Sequence, residues 1–288
     1  MTIENLSAER NLASSQSMSP LYAFGLAKAT RKMFTVKGRL QEAIAHDEFE
    51  LVYQPQTELI GQKVVCVEAL LRWRSEDFGV MFPEQFIPLM EQHDLMTELG
   101  NMVIEKACKQ LNEWGRKFAP QVRVAVNISS LQLHNFEIVE FVEACIEKYE
   151  VDRSTLEFEL TESSLVKDLG LASKVLNRFK ALGIRIAIDD FGTGYSSLSY
   201  LANLPFDMVK IDRSFIARLG DCEVSTAIIE SVIELSKKLN MQVIAEGVET
   251  EAQRELLKLY NCDLIQGDLI SEPVSADRLH HLSGFLLS

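Results

Sequence analysis

Between residues 49 and 267 the sequence alternates short β-rich runs with stretches of helical periodicity. The runs are FELVYQP (49–55), VVCVEALLRW (64–73), RVAVNIS (123–129), LEFELTE (156–162), RIAIDDF (185–191), MVKID (208–212), QVIAEGV (242–248) and DLIQG (263–267). The segment ELIGQK between the first two is too short for a crossover helix, so that pair is expected as an antiparallel hairpin. Every later gap carries a helical pattern, such as NFEIVEFVEACIEKYE or TAIIESVIELSKKLN, the latter ended by Asn240. Eight strands with intervening helices in about 240 residues predict an α/β fold, a (β/α)8 barrel with its first strand antiparallel to the rest. An open doubly wound sheet is the alternative.

Strand side chains alternate between two faces. Val65, Val67, Ala69 and Leu71 oppose Glu68 and Arg72; Val124, Val126 and Ile128 oppose Asn127; Leu156, Phe158 and Leu160 oppose Glu157, Glu159 and Thr161. Ile184, Ile186 and Ile188 oppose Asp189, Val209 and Ile211 oppose Lys210 and Asp212, and Val243 and Ala245 oppose Glu246. In the first run Leu51 and Tyr53 oppose Gln54. The apolar face of a barrel packs against its helices, so the polar set points inward, mostly toward the C-terminal strand ends where barrel enzymes carry their sites. Buried charge is costly unless paired or metal-bound. One inward carboxylate reads as a structural ion-pair partner, and Glu157, deeper in its strand than Glu159, is read that way. Seven strands repeating the same costly choice read as function.

The donors Glu68, Asn127, Glu159, Asp189, Asp190 and Glu246 are all oxygen ligands, a set that suits Mg²⁺ or Mn²⁺ over Zn²⁺ or copper. Adjacent Asp189 and Asp190 repel each other unless cations neutralise them. Two close divalent ions are the standard apparatus of phosphodiester hydrolysis. Lys210 is placed to polarise or deprotonate a water, or to neutralise developing charge, and Arg72 to clamp a phosphate or guanine with its fork. The histidines fall outside the strand ends, so neither a histidine base nor a zinc motif is expected.

The net charge of −13, from 29 basic and 42 acidic residues, argues against long nucleic acid as a partner. Five cysteines without a C-x-x-C pair argue against a disulfide framework or structural zinc, and fit reduced thiols in a cytoplasm. No apolar run approaches a membrane span, and the N-terminus lacks a secretory pattern. Residues 1–27 read as a tail or linker, 28–48 as an N-terminal helical linker and 49–288 as the barrel domain.

The motifs YQP (53–55), EALLRW (68–73), NIS (127–129), ELTES (159–163), DDFGTGYSSL (189–198), KID (210–212), AEGVE (245–249) and QG (266–267) together resemble the EAL-domain family of cyclic di-GMP phosphodiesterases. The resemblance runs from about 49 to 273. It implies hydrolysis of the cyclic dinucleotide to linear pGpG with two Mg²⁺ or Mn²⁺ ions, inhibited by Ca²⁺. Carried over by motif, Glu68, Asn127, Glu159 and Asp189 resemble ligands of one ion, and Asp189, Asp190 and Glu246 the surroundings of the second. Lys210 then lies beside the nucleophilic water, with either it or Glu246 as base. Gln54, Arg72, Asp212 and Gln266 resemble substrate contacts, Glu162 an anchor of the 190–197 loop, and Glu249 a supporting residue. The resemblance also implies a homodimer formed through that loop and the helix after it, an association that tunes activity. The 28–46 stretch is similar to the helical linker that follows GGDEF domains, which implies a module of a longer sensor protein. Two positions depart from the family: Asp268 where an aromatic usually follows QG, and Glu272 where a basic residue often precedes the late proline. A silent receptor for the same dinucleotide is the competing function. A barrel lyase stabilising an enolate on Mg²⁺ is a third, opposed by the hairpin start and the paired Asp189–Asp190.

Overall fold

A computed structural model describes residues 36–117, 122–165, 167–192, 198–279 and 281. The proposed tail, the start of the helical linker, residues 193–197 of the glycine loop and His280 lie outside the described residues. The strands are β1 (Phe49–Glu58), β2 (Val64–Ser75), β3 (Gly79–Met81), β4 (Arg123–Asn127), β5 (Leu156–Thr161), β6 (Arg185–Phe191), β7 (Met208–Ile211), β8 (Gln242–Ala245) and β9 (Leu264–Gln266). The longer helices are α1 (Val36–Ala45), α2 (Pro83–Gln92), α3 (Met96–Lys117), α4 (Glu137–Lys148), α5 (Leu169–Ala181), α6 (Leu198–Asn203), α7 (Glu223–Lys238) and α8 (Glu251–Leu259). The described residues divide into two compact units, one of Glu50–Arg72 with those from Met96 onward, the other of residues 36–49 with Trp73–Leu95.

The larger unit is the barrel. The strand order β1-β9-β8-β7-β6-β5-β4-β2 closes through a β1–β2 pairing. β1 runs antiparallel to β9, and β2, β4, β5, β6, β7, β8 and β9 pair in parallel. Glu58 N–H donates to the Lys63 carbonyl at 2.9 Å, tying the expected hairpin. The helices form because their apolar residues recur at one-face spacing. In α3 that stripe is Val103, Ile104, Ala107, Cys108, Leu111 and Trp114, all buried. Asp168 caps α5 by accepting from Leu171 N–H at 3.0 Å, and α8 opens with a Thr250–Gln253 capping box. Past the end of α7, Asn240 takes a left-handed φ of 57°, the stop its sequence announces.

The outward faces of the strands join the helix stripes in one core, as where the Phe158 and Phe179 rings meet at 4.8 Å. A second, smaller cluster of Ala187, Met208, Ile244 and Leu264 lines the inside. Polar layers lie on either side of it along the strands. Glu157 is fully buried and pairs with Arg123 and Arg185, each at 3.2 Å, which bears out its structural reading. The other polar layer, two residues further along β5, is the candidate site.

In the smaller unit, Phe49, Trp73 and Phe86 pack with ring centroids 5.4–6.0 Å apart. Glu48 accepts from Arg39 at 2.7 Å and from the Trp73 indole at 2.8 Å. Three-residue β3 pairs antiparallel with residues 73–75 of β2 and has no counterpart among the eight expected strands.

Candidate active site

Parallel register places the inward side chains at neighbouring positions: Glu68 lies opposite Ala125, Asn127 opposite Glu159, and Asp189 opposite Thr161, two residues beyond Glu159. Glu246 sits one residue past β8, where its N–H donates to the Ile211 carbonyl at 3.1 Å. The β6–β7 register slips between Ile188 and Phe191, and Asp190 takes a left-handed φ of 54°. Such a bulge re-aims side chains, so two consecutive aspartates can serve one site. Ligand oxygens of Asp189, Asp190 and Glu246 lie within 4.8 Å of one another.

Lys210 stands at the centre. Its side chain is 0% exposed, and Nζ lies 2.6 Å from Glu159, 2.7 Å from Glu246, 3.4 Å from Asp189 and 3.7 Å from Glu68. Burial alone favours a neutral amine, but the four carboxylates hold the ammonium well above its ordinary value. One lysine does not balance the cluster. Burial, reinforced by Glu68, Asp189 and Glu246, drives Glu159 well above the carboxylate range. Glu246 is pushed up to about 8 by burial together with Asp189 and Glu68. Asp190 is raised by burial, then by Asp189 and Asp212. Glu68 alone is held down: burial raises it, and Lys210, Gln266 and Asn127 together more than offset that.

An amide network steadies these acids. Glu68 accepts from Asn127 Nδ2 at 2.8 Å and from Gln266 Nε2 at 2.7 Å. Gln266 Nε2 also donates to Gln54 Oε1 at 3.0 Å, and Gln54 Nε2 donates to the Ser271 carbonyl at 3.2 Å. Gln56 completes the network: its Nε2 donates to Gln266 Oε1 at 3.0 Å and to Glu159 Oε1 at 3.2 Å. Fully buried Gln56 is absent from the sequence reading, although it shares Gln54's parity two residues on. Gly267 follows because a Cβ there would meet the Val248 backbone at 2.3 Å.

The remaining predicted residues occupy the surroundings. Half-buried Arg72 donates from Nη1 to the Leu71 carbonyl at 2.9 Å. Asp212 caps the turn at 213–216 through Ser214 N–H at 3.0 Å. Glu162 is buried at the start of the one-turn helix Glu162–Leu165, while the loop it is expected to anchor lies partly outside the described residues. Glu249 is exposed, with its N–H donating to Gln253 Oε1 at 2.9 Å.

A barrel whose strand-end motifs converge in this way matches one family model, described as the EAL domain, over residues 37–273. The chain belongs to the EAL domain family. It is 38% identical over 240 residues to the bifunctional diguanylate cyclase/cyclic di-GMP phosphodiesterase MucR of Pseudomonas aeruginosa, an alignment covering 83% of this chain and 35% of MucR. It is 38% identical over 255 residues to the cyclic di-GMP phosphodiesterase PA2567 of the same organism, covering 88% of this chain and 43% of that protein. The chain thus spans less than half the length of these curated relatives. Among solved structures it resembles the PaMucR phosphodiesterase in its c-di-GMP complex, with a TM-score of 0.80 and 38% identity, covering 83% of this chain and 97% of that one. Among the described residues of this EAL domain, no helix is long and apolar enough to cross a membrane.

Proposed function

We propose that this EAL domain hydrolyses cyclic di-GMP to linear pGpG with two bound divalent ions, Mg²⁺ or Mn²⁺, and that Ca²⁺ inhibits it. The observation that carries the reading is the crowding of Glu68, Glu159, Asp189 and Glu246 within 4 Å of a single buried ammonium. The donor set fits hard divalent cations: it is all oxygen, and the raised Glu159, Asp190 and Glu246 mark negative charge in excess of Lys210. Glu68, Asn127, Glu159 and Asp189 would hold one ion, and Asp189, Asp190 and Glu246 the other. Bound ions of this kind supply Lewis-acid activation of water and charge stabilisation on a phosphodiester.

The chain's own residues divide the remaining work. Lys210, kept an ammonium by its neighbours, donates hydrogen bonds and stabilises charge that develops on phosphate oxygens. With Lys210 kept protonated, proton acceptance from the attacking water falls to Glu246, 2.7 Å from its Nζ. Arg72 clamps phosphate or guanine, and Gln54, Asp212 and Gln266 orient the substrate. The amide network through Gln56 fixes Glu159 and Glu68 before substrate arrives. Incubating the protein with cyclic di-GMP and Mn²⁺, with and without EDTA, and separating nucleotides by chromatography tests this. EDTA-sensitive pGpG is expected. Binding without product would support a silent receptor instead.

A further inference from the structure

The other end of the barrel interior holds a cavity of about 520 Å³, within the size range of small-molecule sites. Four cations line it: Arg123 and Arg185 at the starts of β4 and β6, Lys237 in the last turn of α7, and Lys258 in the last turn of α8. Two carboxylates, Glu58 and Asp263, line it as well, and one Asp263 oxygen is engaged by Val243 N–H at 2.8 Å. Cations therefore outnumber acids two to one there, in a chain of net charge −13.

The arginines are held in place from behind. Buried Glu157 accepts from Arg123 Nε at 3.2 Å and lies at ion-pair distance, 3.2 Å, from Arg185 Nε, while Arg185 Nη2 donates to Gln242 Oε1 at 2.6 Å. That offsets one of the positive charges and ties each guanidinium by one hydrogen bond. The terminal nitrogens of Arg123 have no hydrogen-bond partner, and the ammonium of Lys237 has neither hydrogen-bond nor ion-pair partner, among the described residues. Lys258 pairs with Glu255 at 2.6 Å, which is not part of the lining. Ile60 and Leu264 offer an apolar wall beside the cations.

We propose that this cavity binds a small phosphate-bearing molecule, remote from the carboxylate cluster and independent of its chemistry. The Arg123 fork matches phosphate oxygens two at a time, Arg185 adds a second guanidinium charge, and an unpaired lysine a point charge. The apolar wall accommodates the organic part of such a ligand.

Isothermal titration of sodium pyrophosphate into the full chain, stripped of metal on chelating resin, tests the proposal. One saturable site is expected. Lys237→Glu, at an exposed position, weakens it by about tenfold or more, one charge-assisted contact amounting to ~1.4 kcal/mol per decade. Arg185→Gln weakens it as well, with folding of both variants checked by circular dichroism. Arg72→Ala, at the carboxylate end, leaves it unchanged. Absence of saturable binding overturns the proposal, as does wild-type affinity in folded Lys237→Glu or loss of binding in Arg72→Ala.

Discussion

Replacing Lys210 by methionine keeps the volume and removes the cation that, among the described residues, pairs with this carboxylate cluster. Four carboxylates within 4 Å of Nζ then face each other without compensation. Breaking a buried ion pair by deleting one partner costs about 3–5 kcal/mol. At about 2–4 °C per kcal/mol for a domain of this size, the melting temperature falls by roughly 6–20 °C in metal-free buffer at pH 8. Because Glu159 is raised well above the carboxylate range and Glu246 to about 8, acid protonates these groups and relieves the repulsion. The deficit therefore shrinks at pH 5.5. Added Mg²⁺ stabilises the variant more than it does the wild type, since ligands of the native state act by mass action. Scanning calorimetry of both proteins at the two pH values, with and without Mg²⁺, reads all three effects. A fall of less than about 3 °C at pH 8, or an equal fall at both pH values, refutes the electrostatic reasoning.

Metal-free wild type should itself lose stability as pH rises. A Glu246 pKa near 8 lies above the unfolded value of 4.5, so its contribution is full below pH 4.5 and lost as pH climbs through 8, which a melting series across that window detects. Gln56→Leu removes the amide joining Glu159 to Gln266 and should lower turnover and Mn²⁺ affinity about 10–100-fold while the fold persists, read by kinetics and metal titration. Of the five free thiols, Cys222 should react quickly with a disulfide reagent at pH 8, being partly exposed with its thiol pKa lowered by Ser225. Cys108 and Cys262, pushed up to about 12 by burial, and buried Cys66 and Cys145 should wait for denaturant.

The barrel and most of the site are legible because period-two alternation places every inward residue once the strands are found. Glu68, Glu159, Asp189, Lys210 and Glu246 meet because they share that parity in a closed sheet. Gln56 escapes because a proline reads as a strand boundary, whereas β1 passes through Pro55 to Glu58. Three-residue β3 is too short for any period to register. The bulge that turns Asp190 inward depends on a slipped register, which a single strand's pattern does not encode. Strand ends also come earlier than the β-rich runs suggest: β8 stops at Ala245 and β7 at Ile211, leaving Glu246 and Asp212 just past the strands, where loops carry site residues.

We propose that the carboxylate cluster holds two divalent ions. Titrating Mn²⁺ into metal-stripped protein, with free Mn²⁺ followed by electron paramagnetic resonance, counts them directly. Two ions per chain are expected in the wild type, and fewer in Glu68→Ala. Undiminished binding in that variant, or no binding at millimolar Mn²⁺, contradicts the proposal.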